Sequence, residues 1–301
     1  MKTSLDHLPD GKRRELTRIV EILFAEFEDA LKGRNAPHRK AGRILKIILF
    51  GSYARGDWVD DPKGGYKSDY DLLVVVNHDE LTDLPDYWGK ADDHLLTAYQ
   101  ITHELTAPAN FIVHDLADVN KQLKRGRPFF VDIVRDGIAL YEAPDHPFEH
   151  SEPLSPEDAQ VEAQGYFDQW YASAGQYARQ ADHAIRDGAS NVAAFDLHQT
   201  AERLYHCVQL VLTLYSPKSH KLNFLRSQAE RLAPSLISAW PRETRFEQRS
   251  WELLRRAYVD ARYSPHYKIS DEELAWLVQH VEGLRLQVEA ISRDHLANMP
   301  R

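Results

Sequence analysis

The 301-residue chain contains one cysteine, Cys207. A single thiol excludes an internal disulfide framework and agrees with a reducing compartment. No apolar run approaches the ~20 residues needed to span a bilayer, and the first residues, Met1 to His7, lack the apolar core of a signal peptide. Together these features predict a cytoplasmic protein without membrane association. Positive charge is also short: 37 Lys and Arg stand against 46 Asp and Glu, a net charge of −9. That balance excludes sequence-independent nucleic-acid binding over the whole surface and leaves a local basic groove open. No internal repeat or low-complexity tract is present. What is there is a globular composition, 43% hydrophobic and 28% charged, in a chain long enough for two domains that each bury a core.

The most informative stretch runs from Leu45 to Val76. An apolar strand ends at Phe50 and turns through Gly51-Ser52. After an insertion, Ser68-Asp69-Tyr70-Asp71 leads into five apolar residues, Leu72 to Val76. Residues two apart on a strand project from the same face, so the carboxylates of Asp69 and Asp71 are expected to converge on one point near the Gly-Ser turn. Like charges so close are costly unless a cation sits between them, and hard oxygen ligands suit Mg²⁺. A turn that offers backbone N–H groups and a hydroxyl suits phosphate oxygens. The combination reads as a metal-nucleotide site.

These residues resemble the nucleotidyltransferase superfamily of the DNA polymerase β type, in particular its minimal members. The resemblance implies that Gly51 and Ser52 hold nucleotide phosphates, that Asp69 and Asp71 hold the divalent metal (Mg²⁺ or Mn²⁺), and that Arg55 contacts phosphate. The substrate would be ATP or another NTP. The spacer from Tyr53 to Ser68 is longer than usual in the family. Its excess lies in Asp57 to Lys67, a Gly/Pro/Asp-rich run expected as an extended loop. Family members that transfer nucleotides usually carry a further Asp on a later strand, which completes a two-metal site and acts as base. The next strand here is expected over Ala109 to His114. Asn110 and His114 stand where that Asp would be, and Asp115, at the strand's far end, is the candidate third carboxylate.

Along the chain, apolar residues spaced three and four apart predict a helix from about Gly11 to Leu31, and another from Asp92 to Thr102. A short helix follows at 118–123. The first domain is expected over residues 1–142, an α/β core with a mixed sheet. Residues 143–154 hold three prolines and read as a linker. Ser155-Pro156-Glu157-Asp158 then starts a helix, with Ser as N-cap, Pro in the first position and acids in the first turn. The remainder, 155–301, is helical in period, with helices expected near 156–187, 191–215, 221–232, 243–262 and 270–294: an all-α bundle.

Within that half, His198 to His206 and Ala257 to Tyr267 resemble the HEPN domain, which is often encoded beside a minimal nucleotidyltransferase. The resemblance implies a homodimer formed through the helical domain. It also implies a ribonuclease site of Arg262 and His266, with His as acid/base and Arg stabilising phosphate charge, although only three residues separate them here, one of them Pro265. His198, Glu202 and His206 share one helix face and are expected to form an interaction surface. The preferred reading is transfer of a nucleoside monophosphate from a Mg-NTP to a hydroxyl on a small molecule, protein or RNA. The alternatives are a metal-independent ribonuclease in a toxin–antitoxin or defence setting and a non-catalytic nucleotide sensor.

Overall fold

A computed structural model of the chain describes residues 1–33, 36–61, 66–151 and 154–299. It divides into two compact units, Met1–Pro153 and Leu154–Arg301.

The first unit is built on a four-stranded mixed sheet in the order β5-β4-β1-β6, formed by β1 (Ile44–Phe50), β4 (Tyr70–Val76), β5 (Ala109–Asp115) and β6 (Ile138–Glu142). β4 is antiparallel to β1 and parallel to β5, and β1 is antiparallel to β6. All seven residues of both β1 and β4 are buried. This explains why, Lys46 and Asp71 apart, both strands are apolar: central strands covered on both faces have no solvent side on which to place polar residues. One sheet face, with Ile47, Leu49, Leu72, Val74 and Phe111, packs on α1 (Asp10–Leu31) and α4 (Gly89–Gln100) through Leu16, Ile19, Leu23, Phe27, Ala91 and Leu95. α5 (Leu116–Lys124) and α6 (Pro128–Asp136) pack against the strands as well.

Two details differ from the sequence reading. Asp57 to Lys67, expected as an extended loop, contains a small antiparallel ladder of β2 (Asp60–Asp61) and β3 (Tyr66–Lys67). Its base is closed by the Ser68 N–H on the Val59 carbonyl at 2.8 Å and the Val59 N–H on the Ser68 hydroxyl at 2.9 Å; residues 62–65 of the run lie outside the described residues. The proline-rich segment after β6 is docked rather than free. Ala143 donates its N–H to the Leu45 carbonyl, Glu149 donates its N–H to Asn120 Oδ1, and the Phe148 ring lies 4.8 Å from the Lys46 ammonium. Lys46 is fully buried on β1 and pairs with Glu142, so Phe148 helps to cover a charge that is otherwise costly to bury. Glu152 and Pro153 lie outside the described residues.

The second unit is helical: α7 (Pro156–Arg186), α8 (Ser190–Thr213), α9 (Leu222–Leu232), α10 (Arg245–Tyr263) and α11 (Asp271–Asn298). Ser155 caps α7 by accepting the Asp158 N–H, with Pro156 in the first turn. Thr244–Glu247 and Ser270–Glu273 form reciprocal capping boxes on α10 and α11. α8 is the central helix, packed by α7, α10 and α11. Seventeen of its residues are buried, a share that leaves almost no polar face, and the polar side chains it carries must find partners inside.

His206 shows the consequence. It is buried, its Nε2 bonds the Ser219 carbonyl at 3.2 Å, and its Nδ1 faces the Ser216 hydroxyl at 2.6 Å. The carbonyl requires an N–H at Nε2, so the neutral tautomer that donates there and accepts the Ser216 hydroxyl at Nδ1 satisfies both contacts. Burial pulls the imidazole from its ordinary 6.5 down to about 4. The unfolded chain therefore takes up a proton that the folded chain refuses. Stability is full above pH ~6.5 and falls as pH drops toward ~4, by ~3 kcal/mol from this residue. Urea unfolding of the wild type and His206→Phe at pH 7.5 and 4.5 checks it: the stability difference between them is expected to shift toward the variant at low pH. Among the described residues no helix is long and apolar enough to cross a membrane.

Candidate active site

The site is assembled at one end of the sheet, where β1 leaves and β4 enters. β1 and β4 run antiparallel, and the last residue of β1, Phe50, is paired with Asp71. The residues after Phe50 therefore run alongside those before Asp71, which brings Gly51 and Ser52 beside Asp69. Gly51-Ser52 is more than a turn: it opens α3 (Gly51–Arg55), a short helix ended by Gly56 in the left-handed conformation with φ +90°. Gly51 itself has φ +75°, a region that costs a side chain ~1–2 kcal/mol. Gly51→Ala is expected to lower stability by about that much and to displace Ser52. The check is a melting curve with and without Mg-ATP, in which the variant loses nucleotide-induced stabilisation as well as basal stability.

Tyr70 orients the aspartates. Alternation along the chain turns Tyr70 into the core and its neighbours, Asp69 and Asp71, to the opposite face. The Tyr70 hydroxyl donates to Glu15 at 3.1 Å, and Glu15 also accepts the Thr106 N–H at 2.9 Å and its hydroxyl at 2.7 Å. Burial and the Glu15 charge hold the Tyr70 phenol well above its ordinary value, so it stays protonated and keeps donating. The Tyr53 ring of α3 stacks on Tyr70 at 4.3 Å and on Trp58 at 5.5 Å. This stack clamps α3 beside β4. Sequence reasoning missed it; the aromatics at 53, 58 and 70 were the available signal.

Asp71 is fully buried, and Asp69, the residue before β4, is partly exposed. Ser52 is buried, and its Oγ is without a hydrogen-bond partner. A buried orphan hydroxyl is costly, and a phosphate oxygen would satisfy it. Two hard carboxylates beside it fit Mg²⁺ or Mn²⁺. Arg55, by contrast, is exposed and pairs with Asp57 at 3.2 Å.

The candidates for a third carboxylate separate. Asn110 is paired in register with Asp71, and its Nδ2 donates to Asp69 Oδ2 at 2.8 Å; Asn110 belongs to the site. His114 and Asp115 do not. They are paired with Val75 and Val76, four and five residues farther along β5, about 13–17 Å at strand rise. His114 bonds Asp118 at 2.7 Å, and Asp115 caps α5 by accepting the Asp118 N–H at 3.0 Å. The reading of Asp115 as a catalytic carboxylate is corrected on this geometry.

In the helical unit, Arg262 and His266 flank the end of α10, and both are exposed. Arg262 turns back along its own helix: Nε donates to the Tyr258 carbonyl at 2.6 Å, and the guanidinium lies 4.6–5.0 Å from the rings of Tyr258, Tyr263 and Phe195. His266 bonds Ser264 through its backbone N–H at 3.3 Å. His198, Glu202 and His206, expected on an interaction surface, are instead buried, because α8 is enclosed. His198 Nδ1 bonds the Leu254 carbonyl at 2.9 Å, and its Nε2 faces Glu202 at 3.5 Å. Glu202 also bonds His220 at 2.9 Å. Burial pushes the Glu202 carboxyl up, but the hydrogen bonds and charge of His198 and His220 outweigh it and hold it below the usual range.

Comparison with known proteins follows the same division. A nucleotidyltransferase domain is matched over residues 32–149 and a HEPN domain over residues 167–291. The chain joins a nucleotidyltransferase domain to a HEPN domain. The nucleotidyltransferase domain holds all of the Gly51–Asp71 site, and the HEPN domain is the helical bundle. A Methanocaldococcus jannaschii protein that carries the provisional name of a protein adenylyltransferase is 48% identical over 66 residues, covering 21% of this chain and 55% of that protein. The chain thus spans about half the length of this relative.

Proposed function

We propose that the protein transfers a nucleoside monophosphate, AMP by preference, from a nucleoside triphosphate to a hydroxyl acceptor. The reading is supported by the register Phe50–Asp71, which brings the start of α3 and the aspartates to the same end of the sheet, together with the orphan hydroxyl of Ser52 in α3. Asp69 and Asp71 would hold the divalent cation, which when bound offsets phosphate charge and polarises the phosphorus for attack. Ser52 donates its hydroxyl hydrogen to a phosphate oxygen of the departing pyrophosphate. The acceptor oxygen attacks the α-phosphorus in line, a P–O bond to it forms, and the bond to the β-phosphate oxygen breaks. The acceptor's proton passes to water or phosphate. AMP is preferred because the 48%-identical segment belongs to a protein named for adenylyl transfer; by the same name, a protein hydroxyl is the first acceptor to test.

The experiment is incubation of the chain with Mg-ATP and candidate acceptors, including itself, followed by intact mass measurement. A mass increase of one AMP per acceptor is expected, and it should vanish in Asp69→Asn/Asp71→Asn. No adduct with any NTP, using either Mg²⁺ or Mn²⁺, overturns the proposal. We favour this reading over RNA cleavage because Arg262 is engaged with its own helix and three aromatic rings.

A further inference from the structure

Among the described residues the site brings together two carboxylates and an amide. Asn110 lies in register with Asp71 on the adjacent parallel strand and donates Nδ2 to Asp69 Oδ2 at 2.8 Å. One neutral side chain therefore touches one aspartate and neighbours the other on the same sheet face. Among the described residues no three His, Cys, Asp or Glu side chains come together to hold a metal ion. We propose that Asn110 is a positioning residue that makes this a single-cation site, one that takes its divalent ion together with a nucleotide triphosphate. The proposal rests on the reading of Asp69 and Asp71 as the metal ligands.

The physical argument is one of charge and of hydrogen-bond direction. Two divalent ions at the ~3.5–4 Å spacing of two-metal sites repel each other strongly, and anionic ligands must lie around and between them. An aspartate at position 110 would add a third negative charge at that place; the amide adds none. The amide also does what a carboxylate cannot, since it donates an N–H. That bond ties Oδ2 of Asp69 to the amide and so fixes how the carboxylate is turned. Partners of this kind set the orientation of a ligand and the affinity of its metal. A carboxylate in the same place would instead repel Asp69 and Asp71 in the absence of metal. Asn110 is only partly buried, so core packing does not require an amide there.

The test counts Mn²⁺ bound by the full chain in the presence of a non-hydrolysable ATP analogue. It uses titration calorimetry and electron paramagnetic resonance, with Asp69→Asn/Asp71→Asn as the baseline for ion held by nucleotide alone. The wild type is expected to bind one Mn²⁺, without the spin-coupled signal of a close pair. Asn110→Asp is expected to bind two and to show that signal. Asn110→Ala is expected to bind one, with Kd raised about tenfold or more. Two ions in the wild type, one in a folded Asn110→Asp, or an unchanged Kd in Asn110→Ala would overturn the proposal. Should Asn110→Asp not fold, the wild-type count and the Asn110→Ala affinity still decide. A wild type that binds nucleotide with no Mn²⁺ above the baseline defeats the metal-ligand reading itself, a result distinct from the others.

Discussion

Asp69→Asn/Asp71→Asn is expected to reduce AMP transfer by at least about 10³-fold while leaving the chain folded. Asparagine keeps the shape and volume of each side chain and removes both charges, so the sheet register that depends on β4 should survive. What disappears is the pair of anions that would hold the cation. Charge stabilisation of a phosphoryl transition state by a bound cation amounts to several kcal/mol, and ~4 kcal/mol corresponds to about 10³ in rate. A second readout separates lost chemistry from lost structure. Ligand binding raises apparent stability by RT ln(1 + [L]/Kd), ~2.7 kcal/mol at a hundredfold excess over Kd. The wild type should therefore melt higher with Mg-ATP, and the double variant should not, while their circular dichroism spectra agree. A variant that keeps a tenth of wild-type transfer would show that these aspartates are not the metal ligands.

Trp240→Ala is expected to have the largest effect on stability, ~3–5 kcal/mol. Trp240 is 1% exposed and lies against Trp251 with ring centres 4.7 Å apart. Its indole N–H donates to the hydroxyl of Tyr205 on α8 at 2.7 Å. Truncation opens a large cavity, and it also strips a fully buried phenol of its donor. Burial already pushes the Tyr205 phenol above its ordinary value, so it cannot respond by ionising. For a unit of this size ~1 kcal/mol corresponds to roughly 2–4 °C, and the melting transition should fall by on the order of 10 °C. Trp240→Phe refills most of the volume and leaves mainly the hydrogen-bond loss, ~1–2 kcal/mol. Combined with Tyr205→Phe it should cost less than the sum of the single changes, because the two groups serve each other. Additivity would show that the bond contributes nothing.

Much of the architecture was legible because the local signals are strong. α7 begins where Ser155-Pro156 announces it, and the helices of the second unit fall close to the expected spans, since their breaks carry Pro217, Pro234, Pro241 and Pro265. β1 and β4 read as strands from their aliphatic runs, Ile47 to Leu49 and Leu72 to Val76. Burial was harder to read. His198, Glu202 and His206 carry a polar face suited to a surface, but α8 is covered by α7, α10 and α11. No period within one helix reveals how many neighbours it will have. The segment after β6 reads as a linker by its prolines, yet Phe148 is held there by a buried lysine just over a hundred residues earlier.

The sequence by itself determined that Gly51, Ser52, Asp69 and Asp71 are candidates for one nucleotide-metal site, because strand alternation and the chemistry of these side chains are local properties. It also determined the order of an α/β half and an α-helical half, since hydrophobic period and helix caps are local too. Only the tertiary structure decided which residue joins the aspartates. Asn110, His114 and Asp115 are equivalent as text, but the parallel register of β4 and β5 puts Asn110 beside Asp71 and carries Asp115 to the opposite end of the strand as a helix cap. Register is set by pairing between segments some forty residues apart. A site completed by such pairing cannot be read from any one of them.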